Sequence, residues 1–377
     1  MTKKEKRKTM NRLQRLSAQG QSVWIDNLSR ELLHSGGLAA MMESDAVVGV
    51  TSNPTIFQKA IGQGGAYDEQ LKELAGKVDD PKELFLELSA RDVAEACDLL
   101  RPVFDATGGV DGYVSWEVDP TLAYDRDRTY DEAQRLHAWI DRPNLHVKIP
   151  ATKPGIGAIE DMIAAGKNIN VTLIFSLQRY AEVVEAYLRG LERLVAAGGH
   201  PEQVASVASF FVSRVDTETD RRLEEIGSKA ALALRGRLAV ANAKLAYQHY
   251  LDAFSGPRWE FLAGKGARPQ RCLWASTSTK NPAYRDVMYV EDLIGPDTVN
   301  TMPPETIEAF QDHGEVEPTL AKGIKKAHAV FEDLAAVGVD VDDVTETLEA
   351  EGVQKFADSF AELLDGVRAK RGELVAS

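Results

Sequence analysis

Eight short runs carry the apolar pattern of β-strands: residues 22–26, 47–53, 112–118, 145–152, 169–175, 204–212, 271–276 and 299–303. Between them lie longer stretches whose apolar residues recur at helical spacing, among them 91–106, 129–140, 176–197 and 228–254. Ser176 stands where the third of these needs an N-cap. Strands alternating with helices imply right-handed βαβ units and a parallel sheet. Eight such units close most simply into an α/β fold, the (β/α)8 TIM barrel. An open doubly wound sheet is the alternative. It would carry a glycine-rich phosphate loop after an early strand, and neither GxGxxG nor GxxxxGK[ST] occurs there. Helical segments flank the barrel. The expectation is one domain over 1–377, with the barrel at about 22–315, a helical extension at 1–21 and another at 316–377. The last includes IKKAHAVFEDLAAV and VQKFADSFAELLDGVRAK, read as helices that decorate the barrel. The acidic run DVDDVTETLEAE (340–351) is read as a solvated face or helix start, since it lacks the spacing of a calcium loop.

Strand alternation then sorts side chains by face. Leu145, Val147 and Ile149 suit the helix layer, which turns His146 and Lys148 toward the barrel interior. By the same parity Val114, Trp116 and Val118 face the helices and Ser115 and Glu117 point inward. Val23 and Ile25 leave Asp26 inward. Val171 and Leu173 leave Asn170 and Thr172 inward. Val48 and Val50 leave Thr51 and Asn53 inward, and Ser276 follows on strand seven. His146 sits deeper than Lys148 and reads as a hydrogen-bonded core residue. Trp24, Trp116 and Trp274 read as packing, with Trp24 also placed to line the cavity.

A lone strand lysine is ordinarily exposed. Here several strands send polar residues inward toward their C-terminal ends, where barrel active sites lie. Charges inside a barrel are costly unless paired or used. A lysine in an apolar cavity is shifted toward its neutral amine, which can attack a carbonyl and form a Schiff base. The iminium then accepts electrons as a neighbouring C–C bond breaks. One carboxylate takes a hydroxyl proton and a second group handles water. Asp26 and Glu117 supply two carboxylates, and Thr172 or Asn170 can hold a water or a hydroxyl. The chemistry needs no metal and no cofactor.

Composition narrows the setting. The 377 residues are 44% hydrophobic and 27% charged, which fits a large globular core, and the net charge of −14 argues against a general nucleic-acid or anionic-membrane binder. Two distant cysteines, Cys97 and Cys272, argue against a disulfide framework or structural zinc and fit a reducing cytoplasm. The basic start MTKKEKRKTM lacks a following apolar region and reads as a solvated tail. No run is apolar and long enough to span a membrane. A monomer or a homodimer is expected.

The stretches VTSNPTIF (50–57), GYVSWEVDPTLA (112–123), VKIPAT (147–152), INVTLIFS (169–176), SFFVSR (209–214) and LWASTSTKNP (273–282) carry a resemblance. Together and in this order the chain resembles the transaldolases, particularly the longer bacterial ones, over most of its length. The resemblance implies that Lys148 forms the Schiff base and that Asp26 takes the proton of the C4 hydroxyl. It implies that Glu117 works through a water that Thr172 helps to hold. Asn53, Asn170 and Ser209 match substrate-contacting positions, Arg214 the main phosphate-binding arginine and Ser276 a supporting phosphate ligand. The substrates implied are sugar phosphates. The related fructose-6-phosphate aldolases are shorter and usually lack the glutamate, so Glu117 and chain length favour transfer over simple cleavage. A catalytically silent barrel that binds sugar phosphates is the remaining alternative. Many family members carry an arginine after the strand-seven serine. Here the run is ASTSTKNP, Lys280 is the nearest cation and Ser278 is a further candidate.

Overall fold

A computed structural model describes residues 10–62 and 64–376, so all but the last residue of the basic start lies outside the described residues. Eight parallel strands close in chain order into a barrel. They are β1 (Gln21–Asp26), β2 (Val47–Thr51), β3 (Tyr113–Glu117), β4 (Leu145–Pro150), β5 (Ile169–Ile174), β6 (Ser206–Phe211), β7 (Arg271–Ala275) and β8 (Thr298–Met302), each end within two residues of the expected run. Of the outward set, Val23, Ile25, Val50, Val114, Leu145, Val147 and Ile149 are wholly buried while Val48 is partly exposed, and Trp116 meets Trp139 of the helix Arg126–Ile140 edge-on.

Inside the lower barrel the rings of Trp24, Tyr113 and His146 pack together, Tyr113 lying flat on His146 with centroids 4.0 Å apart. Gly49 makes room for this layer, because a Cβ there would fall 2.5 Å from the Trp24 indole. Trp24 donates to Asp111 Oδ1 at 3.1 Å. It belongs to this lower layer and does not line the main cavity above.

Three sequence expectations change. The helix expected over 228–254 divides into Lys229–Leu232 and Leu238–Ala253, because Gly236 between them takes φ +69 and donates its N–H to Asp220 Oδ1 at 2.8 Å. Leu173 does not simply join Val171 in the helix layer. It adopts φ +57 where the β5–β6 ladder slips, and shares a small void with Val353 and Phe356. The C-terminal helices do more than decorate. After Ile324–Ala336, one 36-residue helix runs over Val341–Ala376. Asp340 Oδ1 accepts the Asp342 N–H at 3.0 Å at its start. The acidic run is therefore a helix start, and it is tied down by Asp343 to Arg222 and Glu349 to Arg179. This helix lies along the helix Pro54–Gly62, where Gln58 meets Glu362 at 3.0 Å and Lys370 meets the Ile61 carbonyl at 2.8 Å. It thereby covers part of the barrel mouth.

Cys97 and Cys272 are free and buried. Among the described residues no helix is long and apolar enough to cross a membrane, and no group of three or more His, Cys, Asp or Glu side chains could hold a metal ion.

Candidate active site

The strand register aligns Glu117 on β3 with Lys148 on β4, and Lys148 with Asn170 on β5. Lys148 is 5% exposed and Glu117 9%. The lysine Nζ donates to the Ser52 carbonyl at 2.6 Å and stands 3.7 Å from Glu117 Oε2. Its surroundings are polar, not the apolar pocket that the sequence suggests. Asp26, at the end of β1, accepts from Thr51 Oγ1 at 2.7 Å, and that oxygen is 2.7 Å from Thr301 Oγ1.

Burial pushes both carboxyls up, against the pull of the Lys148 charge. For Glu117 the Asp26 charge adds to the push, and its pKa reaches about 7. A carboxyl so placed can both give and take protons at neutral pH. Glu117 Oε2 and Thr172 Oγ1 are buried and have no hydrogen-bond partner. Two voids of about 10 Å³, close to the room one water needs, adjoin Glu117.

A cavity of about 540 Å³ opens at the C-terminal ends of the strands. Asp26, Asn53, Lys148, Asn170, Thr172, Ser209, Arg214, Ser276, Ser278 and Lys280 all line it. Glu117 does not; it stands behind Lys148, facing the two small voids. Asn170 is fixed on both sides, donating to Ser115 Oγ at 3.1 Å and accepting from Ser209 Oγ at 2.6 Å. Asn53 Oδ1 accepts the Ile56 N–H at 3.0 Å, a helix cap that sets its amide at the wall.

The cationic part of the cavity is built where β6 runs straight into the helix Val212–Ile226. Arg214 lies in the first turn. Its guanidinium sits over Phe211 at 5.0 Å and Phe356 at 5.7 Å, and Nη1 is buried without a hydrogen-bond partner. Burial lowers its pKa, while Glu117 and Asp26 oppose the shift. The Ser213 N–H donates to the Ser276 carbonyl at 3.0 Å, and their hydroxyls are 2.8 Å apart. Ser276 takes φ +54, a left-handed turn that ends β7. Lys280 donates to Ser278 Oγ at 2.7 Å, and both line the cavity.

The model of the family described as transaldolase/fructose-6-phosphate aldolase matches residues 23–367. The chain belongs to this family. It is 54% identical over 363 residues to a transaldolase of Frankia alni, covering 96% of this chain and 98% of that protein. It is 55% identical over 358 residues to a transaldolase of Parafrankia sp., covering 95% and 97%. A Mycolicibacterium smegmatis transaldolase is 52% identical over 363 residues, covering 96% and 97%.

Within this family member the sequence reading missed several cavity residues. Phe356 is the main one. It lies more than a hundred residues beyond Arg214 in the chain, and helical spacing alone could not aim it at a site. Thr51 was placed inward by parity, but its bond to Asp26 depends on the β1–β2 register and has no sequence signature. Ser213 does not line the cavity, but its bond to Ser276 joins the first turn of Val212–Ile226 to the end of β7 and likewise has no sequence signature. His146 is a buried core residue, as expected: its ring lies flat on Tyr113, with the Ala205 backbone beside it.

Proposed function

We propose that the chain is a transaldolase that moves a dihydroxyacetone unit from a ketose phosphate to an aldose phosphate. The donors would be sedoheptulose 7-phosphate or fructose 6-phosphate, and the acceptors glyceraldehyde 3-phosphate or erythrose 4-phosphate. One observation carries the reading: a buried lysine amine lies 3.7 Å from one carboxyl, in a cavity walled by a second carboxyl and a buried arginine.

Lys148 Nζ attacks the C2 carbonyl of the donor. The carbinolamine loses water to give the Schiff base, and Glu117, through a water near Thr172, moves the protons. Asp26 then takes the proton of the C4 hydroxyl. The C3–C4 bond breaks, its electron pair flows into the iminium, and the aldose phosphate departs. The enamine left on Lys148 adds to the acceptor aldehyde, Asp26 returns the proton, and hydrolysis frees the new ketose. Arg214, with Ser276, Ser278 and Lys280, holds the phosphate; Asn53, Asn170 and Ser209 hold sugar hydroxyls. The two free buried cysteines suit a reducing cytoplasm.

Product analysis tests the reading. Fructose 6-phosphate with erythrose 4-phosphate should yield sedoheptulose 7-phosphate, while fructose 6-phosphate alone should stall after about one turnover. Sustained release of free dihydroxyacetone would assign simple aldol cleavage instead.

Two further outcomes are expected. Replacing Arg214 with glutamine should cut kcat/KM for fructose 6-phosphate about 100-fold, since a charge-assisted hydrogen bond is worth roughly 1.5–3 kcal/mol. Turnover of unphosphorylated fructose should hardly change, and an equal loss on both sugars would remove Arg214 from the phosphate site. The pH profile reports on Glu117. Below about 7 its carboxyl is protonated and above it is a base. If the carboxylate is the working form, kcat/KM rises as pH passes through that value. In Glu117→Gln the rise should vanish.

A further inference from the structure

The segment after β7 supplies Ser276, Ser278 and Lys280 to the wall of the main cavity. Its first part is fixed on the barrel. Ser276 is tied to Ser213, and the buried Thr277 hydroxyl is 3.1 Å from Asn300 Oδ1 and 3.2 Å from the Thr301 carbonyl. From there to Tyr284 the bonds are local. Lys280 meets Ser278, and Asn281 shapes a turn by accepting the Ala283 N–H on its side chain at 2.9 Å and the Tyr284 N–H on its carbonyl at 3.1 Å. Such bonds set the form of a turn, not its place.

Placement comes from two tyrosines beyond it. Tyr284 donates to Asp220 Oδ2, and Tyr289 donates to Asp216 Oδ2 at 2.8 Å. Both aspartates belong to the helix Val212–Ile226, one turn apart, and Asp216 follows Arg214 by two residues. Each uses its other oxygen on the turn that leads into the helix Leu238–Ala253. Asp216 Oδ1 accepts the Ala239 N–H and Asp220 Oδ1 the Gly236 N–H, both at 2.8 Å. Gly236 also lets the Tyr284 ring approach, since a Cβ there would fall 2.7 Å from its Cζ. Asp216 and Tyr289 are buried, where a lost partner is costly. The ties of the same segment to the helix Pro304–His313 are exposed and weaker: Arg285 reaches the His313 carbonyl at 2.9 Å, and Asp286 the His313 ring at 2.8 Å.

We propose that Tyr284 and Tyr289 are positioning residues for phosphate: through Asp220 and Asp216 they lock the wall of Ser278 and Lys280 to the helix that carries Arg214. The role rests on the reading above in one respect, that these three side chains hold the substrate phosphate. An anion held from two sides gains most when their spacing is set before it arrives. Neither tyrosine lines the cavity, so the loss of a hydroxyl reaches the anion only through the segment.

Inorganic phosphate, titrated calorimetrically into the full chain, reads the site without turnover. Tyr284 is half-buried, and Tyr284→Phe removes one hydroxyl and no packing. Phosphate should bind about fivefold more weakly to this variant. In a Lys280→Ala background the same change should add little, because the side chain it places is gone; contacting residues that act as a unit are not additive. A tyrosine that merely supports the fold would weaken phosphate equally in both backgrounds, and that outcome overturns the role. So does an unchanged affinity in Tyr284→Phe, or a wild type that takes up no phosphate. With fructose 6-phosphate, KM should rise about fivefold while kcat stays within about twofold, and a fall in kcat at constant KM would also overturn it. The transaldolase reading is judged apart, by the products of the wild type. A chain that makes no sedoheptulose 7-phosphate, yet shows the coupled loss of phosphate affinity, would lose that reading and keep the two tyrosines in their role.

Discussion

Lys148→Ala is expected to abolish transfer while the barrel stays folded. Loss of a covalent nucleophile costs on the order of 10⁴-fold or more, because no neighbouring group can form the bond in its place. The fold should tolerate the change. Truncation leaves Glu117 without its cationic neighbour, but burial already holds that carboxyl near neutrality, so protonation relieves the loss. Borohydride reduction with fructose 6-phosphate gives the decisive readout. In the wild type, peptide mass spectrometry should find the sugar on the peptide containing Lys148, and in Lys148→Ala it should find none. Full-rate turnover by Lys148→Ala, or an adduct on another lysine, would sink the Schiff-base mechanism.

Asp26→Asn should produce the second largest loss, of a different kind. The amide keeps the shape and can still accept from Thr51, but it cannot take the C4 hydroxyl proton. General-base loss typically costs about 10²–10⁴-fold in rate. In the proposed mechanism Asp26 acts only after the imine has formed, so the variant should still be trapped by borohydride, and to a higher steady-state level than the wild type. A variant that neither turns over nor traps would place Asp26 in imine formation instead of cleavage. The two substitutions together separate the formation of the covalent bond from its use.

The inward direction of Lys148, Glu117 and Asp26 was legible because parity along a strand is rigid and each partner set, such as Leu145, Val147 and Ile149, is plainly apolar. The eight strands were legible for the same reason. What parity does not give is depth. Glu117 and Lys148 share a level, yet only the lysine lines the main cavity, and this depends on barrel packing that no single strand encodes. Nor does parity anticipate a slip such as that at Leu173, or the left-handed turn at Ser276 that brings its hydroxyl to Ser213. The break at Gly236 could have been suspected, but helical spacing continued across it. Long-range placement was the least legible: helical periodicity found the segment containing Phe356 and said nothing of its destination.

The C-terminal helix has a consequence for the life of the chain. Asp26 is supplied early in synthesis, whereas Phe356, which completes the wall around Arg214, comes from the last 36-residue helix. Closure of β8 on β1 likewise awaits residues 298–302. At roughly 5–20 residues per second, the ribosome exposes most of the barrel seconds before the roof exists. The nascent chain thus carries Lys148 before the wall around Arg214 is finished. Termination between β8 and this helix leaves a closed strand barrel that holds Lys148 and Asp26 but lacks Phe356 over Arg214.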